Sequence, residues 1–279
     1  MKHICLNLKR FDISPALGGV NRLSSMADWA PTIVGETQEP LKAYPEADFV
    51  MYFPELHLLG AAGALKQDSP LRLGCQGVYR GDTAVGGNFG AFTTNRPANA
   101  MVEAGCKSVI IGHCEERNDK MGILAAAGVD PKKAAQCVNE LLNQEILCAQ
   151  KAGMDVLYCI GEKSEEQPFW EEVLGNQLSI GLAGADPSKV VIAYEPVWSI
   201  GPGKTPADKP YITKIARFVK EKTAGLDVIY GGGLKKDNAA MLASIEEIDG
   251  GLIALTRFSG EIGFYPAEYL EIISTYLGH

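Results

Sequence analysis

Several features that would place the chain in a membrane or metal-binding class are missing from the sequence. The first residues, Met-Lys-His-Ile-Cys-Leu-Asn, contain too few apolar side chains for a signal peptide. No apolar run reaches the roughly 20 residues that a helix needs to cross a bilayer. The cysteines form no Cys-x-x-Cys pair and no Cys/His cluster of metal-site spacing. We therefore expect no membrane association and no bound metal.

Positive charge is also in short supply. The 279 residues include 26 Lys and Arg against 34 Asp and Glu, which gives a formal net charge of -8. This acidic balance argues against a nucleic-acid partner or an anionic membrane surface. Any anion site must therefore be built locally, from the backbone amides of glycine loops and from individual basic side chains.

The cysteines do not suggest a disulfide framework. Seven cysteines cannot all pair with one another. Free thiols pack as small hydrophobic groups, and several of these stand in apolar stretches, namely Cys5, Cys75, Cys106, Cys148 and Cys159. This usage is typical of a reducing compartment, so we predict a cytoplasmic protein.

What the sequence does contain is a repeated alternation of short apolar runs and longer amphipathic stretches. The apolar runs are His3–Leu8, Asp48–Phe53, Leu71–Gln76, Ser108–Gly112, Asp155–Ile160, Val190–Tyr194, Asp227–Tyr230 and Gly251–Thr256. They lack polar alternation, as expected of parallel strands that are covered on both faces. Amphipathic stretches between them include Pro131–Ala152, Pro168–Leu182, Ala207–Thr223 and Pro266–Leu277, with Pro131, Pro168 and Pro266 in first-turn positions and Gly153 at a helix stop.

Eight strand-then-helix units predict an α/β fold, a single (β/α)8 barrel domain over residues 1–279. A doubly wound sheet is the structural alternative, but it would not need eight repeats. In a barrel, residues at the carboxyl ends of the strands share one mouth, where catalysis takes place. Function is therefore sought at those strand ends.

The sixth strand ends in the most informative segment. A β-branched run leads to one carboxylate, Glu195, and then to the stiff Pro-Val-Trp and a glycine-rich turn with Gly201 and Gly203. This order predicts a base at a strand end beside a mobile lid. Proton abstraction at carbon needs such a pair, because the lid excludes water while an unstable intermediate exists.

Polar residues end the first and fourth strands as well. Asn7 and Lys9 lie two residues apart, so an extended chain points both to one face. His113 follows a strand and precedes a helix, whose N-terminus would keep the imidazole neutral and able to donate a hydrogen bond. Taken singly, the lysine could be a surface residue and the histidine a helix cap.

Three glycines after the seventh strand, Gly231-Gly232-Gly233, could offer amides to an anion or simply form a tight turn.

Together these motifs resemble the triosephosphate isomerase family along most of the chain. The resemblance is carried by Asn7-Leu8-Lys9, by Gly112-His113-Cys114-Glu115, by Cys159-Ile160-Gly161-Glu162, by Ala193 to Thr205, by Tyr230-Gly231-Gly232 and by Gly90-Ala91-Phe92-Thr93. It implies a TIM barrel that isomerises a small phosphorylated sugar without a cofactor. It also implies a homodimer formed through the loop that contains Thr93.

The resemblance further assigns roles to individual residues. Glu195 would move a proton between adjacent carbons through a cis-enediolate, His113 would polarise the carbonyl, and Lys9 would offset negative charge. Asn7 would orient the substrate. The amides of Gly201 and Gly233 would bind the phosphate when the lid closes.

The sequence departs from the family pattern on the phosphate side. A Gly-Gly pair is expected after the eighth strand, but Ala254 and Leu255 stand there; Arg257 could then supply a forked donor to the substrate phosphate, or could simply be exposed. Gly233 replaces a serine.

Beside the base, Cys114 replaces another serine, so it and Glu115 would support His113 and Glu195 in an altered way. The loop from Gly77 to Phe89 is longer than usual. These changes leave three alternatives to a triose phosphate isomerase: an isomerase of a tetrulose phosphate or related ketose phosphate, a non-catalytic phosphate-binding barrel, and a Schiff-base aldolase.

Overall fold

Eight parallel strands form a closed barrel in the computed structural model, which describes residues 1–199 and 204–278. In chain order they are β1 (Lys2–Asn7), β2 (Ala47–Phe53), β3 (Leu71–Cys75), β4 (Ser108–Ile111), β5 (Asp155–Ile160), β6 (Val190–Tyr194), β7 (Val228–Tyr230) and β8 (Gly250–Ile253). Each strand pairs with its sequence neighbours, and β8 returns to pair with β1.

Helices connect the strands and surround the barrel. The described α-helices are α1 (Trp29–Leu41), α2 (Leu58–Ala64), α3 (Ala98–Glu103), α4 (Cys114–Ala126), α5 (Pro131–Lys151), α6 (Trp170–Gly181), α7 (Lys209–Lys222), α8 (Lys236–Ala243) and α9 (Pro266–Leu277). Short 3-10 helices lie at Pro15–Leu17, Glu55–His57, Ser164–Phe169, Pro187–Lys189 and Val197–Ser199.

Two hydrophobic layers hold this arrangement. The outer layer lies between strands and helices, where burial of Val, Ile, Leu and Phe side chains drives docking. The inner layer fills the barrel with alternate strand residues, which are Cys5, Val50, Tyr52, Ile110, Leu157, Cys159, Ala193, Ile229 and Leu252. The predicted (β/α)8 barrel is therefore confirmed, and its centre is a packed core rather than a channel.

Most predicted element boundaries are correct to within two residues. Pro131 and Pro266 open their helices, and Gly153, with φ of 89°, follows the end of α5. Pro168 does not occupy a first-turn position, because it lies inside the 3-10 helix that precedes α6. The eighth strand ends at Ile253 instead of Thr256, because the chain from Thr256 onward folds into a hairpin.

Within the residues that the structure describes, no helix is both long and apolar enough to cross a membrane.

Candidate active site

The catalytic mouth brings together side chains from three strand ends. Asn7 is the last residue of β1, and Lys9 follows two residues later. His113 comes after β4 and Gly112, and Glu195 directly follows β6. Residues far apart in sequence therefore meet, as the parallel arrangement predicts.

Glu195 is buried and held at both carboxylate oxygens. Its side chain is only 3% exposed. One oxygen, Oε1, lies 3.0 Å from Nε2 of His113, and the other, Oε2, accepts a hydrogen bond of 3.0 Å from the backbone N–H of Cys114. A Cβ at Gly231 would approach Cγ of Glu195 to 2.8 Å, so only glycine leaves room for this carboxylate.

His113 caps α4 and contacts Glu195 through one ring nitrogen. The backbone N–H of Glu115 lies 3.4 Å from its Nδ1, a long contact that only the neutral ring can accept, while Nε2 faces Glu195. Burial alone would lower the pKa of His113, but the facing Glu195 carboxylate, aided by Cys114, raises it to about 10. The helix N-terminus was expected to lower the pKa of His113. The pKa is raised instead, because the Glu195 carboxylate beside the ring has a stronger effect than the helix dipole.

Lys9 reaches the same mouth from a constrained backbone. Its Nζ donates to Oε1 of Glu115 at 2.6 Å, while Oε2 of Glu115 lies 3.5 Å from Nδ1 of His113. Glu115 thus links the lysine to the histidine. The backbone of Lys9 has φ of 39°, a left-handed conformation that is rare outside glycine and costs free energy.

Polar side chains secure that strained turn. Oδ1 of Asn7 accepts from the N–H of Lys9 at 3.1 Å, and Nε2 of Gln76 donates to the carbonyl oxygen of Lys9 at 3.1 Å. Asn7 is 4% exposed and has a structural role here, while its role in orienting a substrate stays a prediction. Gln76 lies just beyond β3, and its contribution was not evident from sequence because a glutamine has no chemistry of its own to single it out.

The first part of the lid is anchored by a second buried carboxylate, Glu162. Its Oε1 accepts hydrogen bonds from Tyr194, Trp198 and Tyr211 at 2.9, 2.7 and 2.9 Å. Burial raises the pKa of Glu162, although these donors partly oppose that effect. Trp198 precedes the lid tip and Tyr211 follows it on α7, so one carboxylate ties together both sides of the loop. Gly201, predicted to bind phosphate, lies outside the described residues.

Two loops were expected to bind a phosphate, one after β7 and one after β8. The loop after β7 has the glycine backbone that such a site needs, whereas the loop after β8 does not. Gly233 has φ of 100°, and its turn is stabilised by Asn238, whose Nδ2 donates to the carbonyl of Gly233 at 2.9 Å. Ala254 and Leu255 are half-buried directly after β8. Leu255 therefore has a half-buried side chain where the resemblance predicts a glycine.

Arg257 is engaged elsewhere. Nε of its guanidinium donates to Oε1 of Glu268 at 2.8 Å, and the group stacks 3.9 Å from the centre of the Tyr265 ring. The backbone of Arg257 pairs with Gly263 in a short hairpin. Nε and one terminal nitrogen of this fork face the Glu268 carboxylate, and compensation for the missing glycines by Arg257 stays a prediction.

A different cation lies beside the β7 loop. Cε of Lys235 is 3.4 Å from the position that a Cβ would take at Gly233, and its Nζ lies 4.1 Å from the centre of the Phe258 ring. The sequence did not identify Lys235, since lysines at helix starts are common on protein surfaces.

The described residues also contain one group of possible metal ligands, formed by His113, Cys114 and Glu115, whose ligand atoms lie within 4.8 Å of one another. Sγ of Cys114 is 3.6 Å from Nδ1 of His113. Each partner already has a role at the mouth, because His113 faces Glu195 and Glu115 pairs with Lys9.

Comparison with known proteins relates the chain to a family. The sequence model of triosephosphate isomerase matches residues 24–273. The chain is 36% identical over 177 residues to triosephosphate isomerase of Nitratidesulfovibrio vulgaris, a match that covers 59% of this chain and spans 64% of that relative's length.

Longer matches extend the likeness over most of the chain. The triosephosphate isomerase of Geobacter metallireducens is 31% identical over 253 residues, which covers 86% of this chain and 92% of that protein. That of Herminiimonas arsenicoxydans is 33% identical over 241 residues, covering 82% and 86%. The crystal structure of triosephosphate isomerase from Bartonella henselae has the same fold, with a TM-score of 0.71, 24% identity and 99% of each chain covered.

Proposed function

The chain belongs to the triosephosphate isomerase family, and we propose that it interconverts glyceraldehyde 3-phosphate and dihydroxyacetone phosphate. One observation carries the proposal. A buried carboxylate, Glu195, lies 3.0 Å from Nε2 of His113, and Glu115 connects that histidine to the Lys9 ammonium at the same mouth. These are a base, a hydrogen-bond donor and a cation, placed where proton transfer between two carbons of a charged sugar needs them.

Glu195 has to change partners for the reaction to begin. In the described arrangement its oxygens face His113 and the N–H of Cys114. A substrate that enters between Glu195 and His113 would replace these contacts, so the carboxylate could take a proton from one carbon and return it to the next. Departure of the carboxylate also removes the main cause of the raised His113 pKa, and the helix N-terminus would then favour the neutral ring.

The other residues would act on charge that develops at oxygen. Nε2 of His113 would donate to the carbonyl oxygen and move a proton between the two oxygens of a cis-enediolate. The Lys9 ammonium would offset the negative charge, and Asn7 would help orient the substrate. The amides of Gly201 and Gly233 would bind the phosphate under a closed lid. Side chains suffice for each step, so we propose a reaction without a cofactor.

We also propose a cytoplasmic homodimer. All seven cysteines are free thiols, which suits a reducing compartment. Thr93 lies exposed in a long loop that also presents Val85 and Phe89, which are 110% and 91% exposed. Apolar side chains at a loop tip are commonly covered in an oligomer. Light scattering of wild type and Phe89→Asp would test this, with a dimer expected only for the wild type.

The alternative functions have no support from the relatives, each of which is named triosephosphate isomerase. A tetrulose phosphate or another ketose phosphate remains the competitor to exclude by assay. A non-catalytic barrel would not require the three linked groups at the mouth. A Schiff-base aldolase would need a lysine free for attack, whereas Lys9 is held by Glu115.

The decisive experiment is a coupled isomerase assay with three-, four- and five-carbon ketose phosphates, on wild type, Lys9→Gln and Lys42→Gln. Both lysines are ion-paired and similarly exposed, at 29% and 33%, but Lys42 lies outside the mouth. We expect turnover of triose phosphates that Lys9→Gln abolishes and Lys42→Gln preserves. Conversion of only a longer sugar would refute the substrate, and equal loss in both variants would refute the site.

A further inference from the structure

The turn that carries Lys9 is short and closed at both ends. The N–H of Phe11 donates to the carbonyl of Leu8 at 3.1 Å, so Lys9 occupies the second position of a tight turn. Within this turn, Asn7 binds the N–H of Lys9 and Gln76 binds its carbonyl oxygen. A residue with φ of 39° relaxes to a commoner conformation unless its surroundings fix it from both sides. The chain that leaves the turn after Lys9 has a separate anchor at Asp12, in addition to these contacts.

This anchor is a carboxylate with no solvent contact. The side chain of Asp12 is 0% exposed. Arg10 donates two hydrogen bonds to this carboxylate, from Nε to Oδ1 at 3.1 Å and from a terminal nitrogen to Oδ2 at 2.7 Å. Nε2 of His57 lies 2.9 Å from Oδ2. A buried carboxylate depends entirely on such partners, so Asp12 cannot move without losing them.

His57 connects this carboxylate to the next unit of the barrel. It ends the 3-10 helix that follows β2, is 4% exposed, and packs against Trp29 with ring centres 4.9 Å apart. Trp29 opens α1 and is 1% exposed. The position of the histidine is thus fixed by packing. Through Asp12 it fixes the loop three residues after Lys9.

We propose that Asp12 and His57 are positioning residues, which hold Lys9 in its strained conformation and so aim its ammonium at the substrate. This inference rests on the proposed function only for the identity of the substrate, because the mechanical link from His57 to Lys9 stands on contacts alone. Neither residue touches the mouth; both act through the turn.

The same barrel contains a chemically matched control at its opposite end. Asp48 likewise pairs with a histidine and an arginine, since Oδ2 lies 3.4 Å from Nδ1 of His3 and 2.6 Å from a terminal nitrogen of Arg72. This triad stands at the N-terminal ends of the strands, where barrel residues contribute stability rather than catalysis. Loss of either aspartate should destabilise the fold, but only loss of Asp12 should disturb Lys9.

The test compares Asp12→Asn with Asp48→Asn well below both melting temperatures. We expect Asp12→Asn to raise KM for triose phosphate, to weaken binding of inorganic phosphate, and to lower kcat/KM by about 10- to 100-fold, because a shift of about 1 Å in a charged group can cost that much. Asp48→Asn should lower the melting temperature and leave KM unchanged. Equal KM values in the two variants would overturn the inference.

One further measurement separates the positioning role from the proposed function. Hydrogen exchange of the Lys9 and Phe11 amides should quicken in Asp12→Asn alone, which requires no enzymatic activity. If wild type proves inactive on triose phosphates while this exchange still quickens, the proposed function fails and the positioning role stands.

If neither aspartate variant folds, His57→Gln and His57→Leu replace them. The glutamine keeps a donor for Asp12 and should retain most activity, whereas leucine should not; equal kinetics in the two would overturn the proposal.

Discussion

Shortening the base by one methylene is the sharpest test of the mechanism. In Glu195→Asp the carboxylate withdraws by about 1.5 Å, the length of one carbon–carbon bond. Its contacts with His113 and with the N–H of Cys114, both 3.0 Å, would then open beyond hydrogen-bonding distance. The distance from the carboxylate to the substrate carbon would increase by the same amount.

The expected loss follows from that distance. Misplacement of a reacting group by about 1 Å costs about 100-fold, so kcat/KM should fall by at least that factor, or about 2.7 kcal/mol of transition-state stabilisation. The fold should survive, because burial of one methylene contributes only about 0.8 kcal/mol. Circular dichroism should therefore report an unchanged fold and a melting temperature only a few degrees lower.

Two control variants distinguish the length of the Glu195 side chain from its charge and from the effect of shortening any buried glutamate. Glu195→Gln keeps the length and removes the basic oxygen, so it should lose at least as much activity as the aspartate. Glu145→Asp makes the same change at another buried glutamate, 3% exposed and outside the mouth, and should leave kcat/KM unchanged. If Glu195→Asp keeps wild-type turnover on the true substrate, Glu195 is not the base.

Three further changes test other parts of the site. Leu255→Gly should raise kcat/KM for triose phosphate if Leu255 only obstructs the phosphate; a fall in the coupled assay would show that it belongs to the pocket. Glu162→Gln weakens a charge-assisted acceptor for the lid hinge and should lower kcat/KM by about tenfold; unchanged steady-state kinetics would contradict this. Burial lowers the pKa of His3, but Asp48 and Asp227 together outweigh this effect and raise the pKa above 6.5. Its charged form therefore stabilises the fold fully below pH 6.5 and less as pH rises through the folded pKa, so His3→Asn should cost more melting temperature at pH 5.5 than at pH 9; a constant difference would refute the linkage.

The barrel and the main residues of its mouth could be predicted from sequence because both depend on simple rules. Apolar runs such as Val190–Tyr194 form strands whose carboxyl ends converge. It follows that Asn7, His113 and Glu195, each at or just after a strand end, lie at one mouth. Their chemistry can be inferred without knowing any side-chain conformation.

Contacts between side chains could not be predicted in the same way. The pairing of His113 with Glu195 joins residues from β4 and β6, and its effect on the histidine pKa depends on a separation of 3.0 Å. Asp12 and His57 form a buried pair although neither stands in a recognisable motif. Sequence gives the strand on which a residue lies, but the direction and partners of its side chain depend on packing across the barrel.

Arg257 shows how a local sequence can leave two interpretations open. An arginine shortly after a strand whose expected glycine pair is missing suggests an anion donor. Glu268, eleven residues later, lies close to it because the intervening chain forms a hairpin. Hairpin formation was not predicted for this segment, since its glycines and serine are equally compatible with an open loop.

We therefore propose that the phosphate side of the mouth is built from β7 rather than β8. Leu255 fills space after β8, and Arg257 is neutralised by Glu268. Gly233 has a left-handed backbone, and the Lys235 side chain lies against it. An anion held there would have its charge balanced by that ammonium instead of by a β8 loop. The outcome of Leu255→Gly decides between these arrangements, because removal of the side chain helps only if the substrate phosphate reaches the β8 loop at all.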